Sequence, residues 1–222
     1  QKIPYAIFVQ NGYSIFPTNN FSKLKIAYSH AKFILSYSKD IRQCISLAFP
    51  NRKSKILDVV CAVDPKKFND KTKKQNLITY MPRKLRKHSE LLNFFVKNRL
   101  PKKWKIQPIE NVNETEVSKI LNKSKVFLSF SELEGLGIPP IEAALAGNKV
   151  IGYTGESGKE YWKKPIFTSV YNGDIKDYCN KLLLSLQDKN FLSVSRTQRK
   201  KLAKSFSLEK EKKSIKNFLK YV

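Results

Sequence analysis

Short apolar runs alternate with stretches of helical periodicity along the whole 222-residue chain. That alternation is the pattern of a parallel sheet wrapped by helices. A first series reads as a strand at 4–9 closed by the turn signal Asn11-Gly12, a helix around 22–30, and a strand at 32–37. A helix at 41–49 follows, with Ser38 and Asp40 as N-cap candidates and Pro50 as its terminator, and then a strand at 56–63 ended by Asp64-Pro65. The polar, Lys-rich residues 66–76 read as a linker.

A second series begins with a strand at 77–81, a helix at 89–100, a strand at 104–108 and a helix at 114–122. Next come a strand at 126–130, a turn rich in Gly and Pro, and a helix at 140–145 that Gly147 closes. Strands at 150–153 and 166–170, an amphipathic helix at 175–186 and helices at 191–206 and 208–221 complete it. The fold class expected is α/β: a Rossmann-like parallel sheet with helices on both faces over 77–206, preceded by a partial second Rossmann-like domain. Three parallel strands are few to stand alone, so residues 1–65 read as the tail of another domain whose earlier part lies upstream of Gln1.

Charge narrows the partners. The chain carries 43 Lys and Arg against 18 Asp and Glu, a formal +25. The cations are mostly Lys and are spread over nearly every segment, which is the pattern of a solvated surface. A face drawn to anionic lipid or to a polyanionic substrate is the second reading. Nucleic acid is not expected, because such binding gathers cations into one arm or patch. Cys44, Cys61 and Cys179 are odd in number, far apart and outside any CxxC pair. They suggest neither a disulfide framework nor a metal site, and a reducing cytoplasm fits them. No apolar run approaches the ~20 residues that span a bilayer, so any membrane contact is expected to be peripheral, at the inner face.

The chemistry concentrates in Ser129 to Gly147, where an apolar strand runs through Glu134-Gly135-Leu136-Gly137-Ile138-Pro139-Pro140 into a helix. Ligands of open parallel sheets bind beyond the carboxyl ends of the strands. Glycines admit a ligand to the backbone, and the free N–H groups of a helix start attract anions, a diphosphate above all. Glu142, placed in the first helical turn, suits a ribose diol, and Glu134 suits sugar hydroxyls. Each has a plainer reading. A first-turn Glu is stabilised by the helix dipole alone, by ~0.3–1 kcal/mol, and the glycines serve any tight turn. Two carboxylates also suggest glycoside hydrolysis, yet one precedes the helix and the other lies inside it. His30 and His88 read as surface or packing residues, not as an acid–base pair.

Taken together, Glu134 and Glu142 in E-x7-E spacing, the intervening Gly-Leu-Gly-Ile-Pro-Pro-Ile and the following Ala-Ala-Leu-Ala-Gly-Asn-Lys-Val-Ile-Gly resemble the donor-site motif of family 4 retaining glycosyltransferases, which have the GT-B architecture. The resemblance implies a nucleotide-diphosphate sugar as donor substrate, with no metal or other cofactor, and transfer with retention to a glycan, polysaccharide or lipid-linked acceptor. It puts Glu142 on the ribose, Glu134 near the reacting carbon, and the backbone of Gly135, Leu136, Gly137 and Ile138 on sugar or diphosphate. Ile109 begins the loop that would hold the base. The family also places an Arg and a Lys after the first strand of this domain. Arg83 fits the Arg, although Pro82 stands where Gly is usual; the Lys register falls on His88, leaving Lys84 and Lys87 as competing candidates. A solvated basic loop is the alternative for this cluster. Val63-Asp64-Pro65 with Phe68 resembles the family's hinge, and residues 207–222 its closing helix. A non-catalytic sugar-nucleotide-binding module remains the rival to an active transferase, and a nucleic-acid-binding protein the third reading.

Overall fold

The computed structural model describes residues 3–17, 19–188 and 196–221. Two parallel sheets organise them. The first holds β1 (Ala6–Val9), β2 (Phe33–Ser36) and β3 (Ile56–Asp58) in that order. Its connections carry α1 (Gly12–Ile15), α2 (Phe21–His30), α3 (Lys39–Ala48) and a 3-10 turn at Pro50–Lys55.

The second sheet comprises β4 (Leu77–Tyr80), β5 (Lys105–Pro108), β6 (Val126–Ser129), β7 (Lys149–Gly152) and β8 (Phe167–Ser169), in the order β5-β4-β6-β7-β8. Every strand pair is parallel. Its helices are α4 (Arg86–Val96), α5 (Glu114–Lys123), α6 (Ile138–Leu145), α7 (Ile175–Gln187) and α8 (Arg196–Ser205), with a 3-10 turn at Ser157–Glu160. The final helix, α9 (Leu208–Leu219), lies against the first sheet: Phe218 and Tyr221 pack on Phe33, and Ser214 Oγ accepts from Val60 N at 3.1 Å.

The central strands β4, β6 and β7 are buried at all four positions. That requires helices on both faces of the sheet. One face packs Phe127 and Val150 against Leu121, Ile141 and Leu202 of α5, α6 and α8. The other packs Ile78, Leu128 and Ile151 against Leu92, Val96, Tyr178 and Leu182 of α4 and α7. A third cluster, Val9, Tyr28, Ile34, Ile41, Ile45, Phe49 and Ile56, closes the first sheet. Among the described residues no helix is long and apolar enough to cross a membrane.

The α/β class with helices on both faces is as the alternation demands. Several local expectations are corrected. Asn11-Gly12 is a helix start, not a turn: Asn11 Oδ1 accepts from Tyr13 N at 2.9 Å and Ser14 N at 3.2 Å. The strand expected at 56–63 stops at Asp58 because its later N–H groups find other acceptors. Ala62 N donates to Glu211 Oε1 at 2.9 Å and Val63 N to Phe206 O at 2.9 Å. Pro50 ends α3 but opens a 3-10 turn, since its fixed φ suits a first helical position. The helix expected at 89–100 begins three residues earlier, at Arg86, and ends at Val96. Of the helix expected at 191–206, residues 191–195 lie outside the described residues.

Candidate functional site

In the second sheet the chain leaves β4 toward β5 on one side and reaches β6 on the other. The crevice between the ends of β4 and β6 is therefore the switch point at which open α/β sheets bind ligands. A cavity of about 480 Å³ opens there, with Met81, Arg83 and Lys84 after β4 on one wall and Ser129 to Pro140 on the other. Gln10, Asn11 and Tyr37, from the ends of β1 and β2, form its far side.

The loop between β6 and α6 is held from behind. Glu134 N donates to Gly155 O at 3.0 Å. The buried Tyr161 hydroxyl donates to Gly137 O at 2.7 Å and lies 3.1 Å from Leu136 O. Ser38 Oγ donates to Gly135 O at 2.8 Å, and Asn11 Nδ2 to Leu133 O at 3.2 Å. These contacts consume carbonyl oxygens. Among the described residues the amides of Gly135, Leu136, Gly137 and Ile138 have no protein acceptor. Gly137 sits at φ 73°, ψ 63°, and Ile138 opens α6 directly after it, followed by Pro139 and Pro140. A left-handed residue before a helix start turns consecutive N–H groups to one side, which is the geometry that receives an anion.

The charged groups divide. Lys84 Nζ and Glu134 Oε1 form an ion pair at 2.7 Å, the lysine side chain 42% and the glutamate 17% exposed. Arg83 is exposed and lines the cavity beside them, with no anionic partner among the described residues. Lys87 is exposed in the first turn of α4 and is not among the lining residues. His88 turns inward, its Nδ1 lying 3.1 Å from the Tyr153 hydroxyl. His30 caps the end of α2 far along the chain, 2.8 Å from Ile26 O. Ile109 is buried in the core beneath α5, and its amide donates to Tyr80 O at 2.7 Å.

Glu142 stands one turn into α6, not in its first turn as expected, because the helix begins at Ile138 and not at the prolines. The helix-start dipole therefore does not account for it. Glu142 is half-buried and is not among the cavity's lining residues; its main-chain carbonyl accepts from Ala146 N at 2.9 Å, and its carboxyl has no hydrogen-bond partner among the described residues. Burial, reinforced by the negative charge of Glu114 and opposed by Lys67, pushes its carboxyl up to about 7. An acid in that setting is short of donors, and a pair of hydroxyls would supply them.

Residues from the first sheet complete the arrangement, and sequence reasoning missed them. Asp40 Oδ1 accepts from the Tyr13 hydroxyl at 2.8 Å, and Asp40 N donates to Glu160 Oε1 at 3.2 Å. The Ser157 hydroxyl lies 2.9 Å from Asp40 Oδ2 and 2.7 Å from Glu134 O. Ser38 was legible as the cap of α3, which it is, but nothing in the sequence signals its second bond, to Gly135, ninety-seven positions away. Among the described residues no group of three or more His, Cys, Asp or Glu is placed to hold a metal ion.

No protein-family model matches the chain. The α-1,6-glucosyltransferase of Actinobacillus pleuropneumoniae serotype 7 is 25% identical over 146 residues, which are 64% of this chain and 39% of that protein. The chain thus spans about two fifths of the length of this curated relative. Among solved structures, Anabaena HepE in complex with UDP and glucose superposes with a TM-score of 0.76 at 12% identity, over 99% of this chain and 72% of that one. A variant of Staphylococcus aureus TarM, in complex with fondaparinux, α-GlcNAc-glycerol and UDP, gives 0.78 at 14% identity, over 98% and 50%. WaaG, a glycosyltransferase involved in lipopolysaccharide biosynthesis, gives 0.66 at 14%, over 96% and 75%. The fold is that of the GT-B glycosyltransferases.

Proposed function

We propose that this chain binds a nucleotide-diphosphate sugar in the cavity between β4 and β6, and that the protein it belongs to transfers the sugar, with retention, to a glycan, polysaccharide or lipid-linked acceptor. The observation that carries the reading is the run of amides without a protein acceptor at 135–138, in residues that line the same cavity as Arg83 and the Lys84–Glu134 pair. The departing nucleoside diphosphate gains negative charge as the glycosidic bond breaks. Fixed cations and peptide N–H groups aimed at it lower that barrier without reorganising. Arg83 and the amides take this part, with Lys84 or Lys87 as the second cation; the position of Lys84 on the cavity wall favours Lys84. Glu134 holds sugar hydroxyls near the reacting carbon, Glu142 holds the ribose, and the loop from Ile109 borders the base. Leaving-group stabilisation with front-face attack needs no protein nucleophile, and none is named.

In this reading residues 1–65 belong to an acceptor-side domain, 66–76 are a linker, 77–206 the donor domain and 207–222 a helix that closes back on the first. The excess of Lys and Arg supports a peripheral contact with an anionic membrane at the cytoplasmic face as part of this reading. The likeness to HepE and TarM, whose structures carry UDP, makes uridine donors the first to try. Calorimetry of the chain with UDP-glucose, UDP-N-acetylglucosamine and other nucleotide sugars should give binding that Arg83→Ala and Glu142→Gln each weaken about tenfold or more. Absence of binding by every nucleotide sugar tried would overturn the proposal. A transfer assay on the same chain separates an active transferase from a donor-binding module.

A further inference from the structure

The outer face of α4 carries Leu91, Phe94 and Phe95 at 45%, 76% and 48% exposure, whereas Leu92 and Val96 on its inner face are buried in the core. Phe94 also borders an open, largely apolar groove of about 460 Å³ with Leu100 and Ile106, rimmed by Glu90 and Lys97. Adjacent protruding phenylalanines on one helix are an interaction surface, unlike singly scattered apolar residues.

The charge around them selects the partner. Between residues 83 and 105 the chain has nine Lys and Arg and a single acid, Glu90. Lys97, Arg99, Lys102, Lys103 and Lys105 are all exposed, and Arg86 is paired with Glu110 at 2.8 Å. A second copy of this face would bring like charges together. Single-stranded nucleic acid needs parallel platforms along a groove. Here the two rings stand edge-on to each other, 6.0 Å apart at 70°, on a convex helix. Protruding apolar rings followed closely in the chain by exposed cations match a lipid interface, in which the rings enter the acyl boundary while the cations meet anionic headgroups.

We propose that the outer face of α4, with Phe94 and Phe95 as inserting residues and Lys97, Arg99, Lys102 and Lys103 as headgroup contacts, docks the protein on an anionic phospholipid surface. This names the surface for the membrane contact in the function proposed above and rests on that part of it alone. Phe94 lies about 12 Å along the helix axis from Arg86, away from the cavity, so docking leaves the donor site open.

Flotation of the 222-residue chain tests it, using vesicles of phosphatidylcholine alone and of phosphatidylcholine with phosphatidylglycerol, at low and high salt. The chain should float with the anionic vesicles only, less so at high salt. The double variant Phe94→Ser/Phe95→Ser should lower partition about tenfold or more, and Lys102→Gln/Lys103→Gln several-fold at low salt only. Melting temperature and donor calorimetry on the same variants report folding. No flotation at low salt overturns the proposal, as does equal flotation of the phenylalanine variant. So does a Phe94-dependent dimer in sedimentation velocity without vesicles, or single-strand DNA binding lost in that variant. Flotation by a chain that binds no nucleotide sugar leaves this proposal standing and sinks the donor site.

Discussion

Glu142 shows how a residue's surroundings set its chemistry. Its carboxyl sits at about 7 against an ordinary value of 4.5, so the folded chain holds that proton more tightly than the unfolded one. The free protein therefore loses stability as pH rises from about 4.5 through 7. Glu142→Gln should leave the melting temperature at pH 5 unchanged and raise it at pH 8. A ribose diol donates to the ionised form, so nucleotide affinity of the parent chain should increase through the same window. The variant should bind weakly and without that pH dependence. Calorimetry at pH 6 and pH 8 checks both, and an equal pH dependence in the variant would remove Glu142 from the binding site. Lys74 is a second residue fixed by its partners: its ammonium donates to Ser124 O at 2.8 Å, to Leu121 O at 3.3 Å and to Ala146 O. One amino group, pushed down to about 7 by burial and by Arg199, thus meets the carboxyl ends of α5 and α6 and ties residues 66–76 to the second sheet's helices. Lys74→Met should cost about 1–3 kcal/mol, read by urea denaturation.

Elements are held by their ends. Asn148 is fully buried where α6 hands over to β7. Its Nδ2 donates to Leu121 O and Ala143 O, each at 2.9 Å, and its Oδ1 accepts from Ser124 Oγ. Asn148→Leu keeps the branching of the side chain but removes both Nδ2 bonds and leaves the Ser124 hydroxyl, as a donor, only its bond to Leu121 O at 3.2 Å, a loss of about 1–3 kcal/mol in thermal or chemical melts. At the opposite ends of the strands the Tyr178 hydroxyl lies 2.8 Å from Ile151 O and 3.1 Å from Ser129 O, so α7 clamps β6 and β7 beside the cavity. The elements themselves were largely legible, because short apolar runs and the 3.6-residue period are local. Two misplaced boundaries have visible causes, a distant one for β3 and an adjacent one for α6. Glu211 and Phe206 took the amides that would have prolonged β3, and the left-handed Gly137 started α6 before the prolines that signalled it.

For the molecule as a whole, the approach of the two sheets creates the cavity, and Gly135 is where they touch. A Cβ there would stand 1.7 Å from Gln10 O and 3.1 Å from Asn11 Cα, both backbone atoms that cannot yield. Gly135→Ala should therefore push the sheets apart, destabilise the protein by about 1–3 kcal/mol, and weaken donor binding more than the change of one methyl implies. Melting and calorimetry on one sample check both. An unchanged melting temperature would show that the contact is slack.

The α/β class, the strand–turn–helix around 129–147 and the E-x7-E spacing were all readable before folding is considered, since each follows from residues close together in the chain. Packing in three dimensions brings Lys84 to Glu134 while Lys87 stays outside the cavity wall, turns His88 to Tyr153, and sets Asn11, Ser38, Asp40 and Ser157 to brace the glycine loop. Those contacts join residues some tens to more than a hundred positions apart. They depend on how two sheets pack and on which carbonyls that packing leaves within reach of a donor, and no period or motif in a linear chain encodes such a meeting.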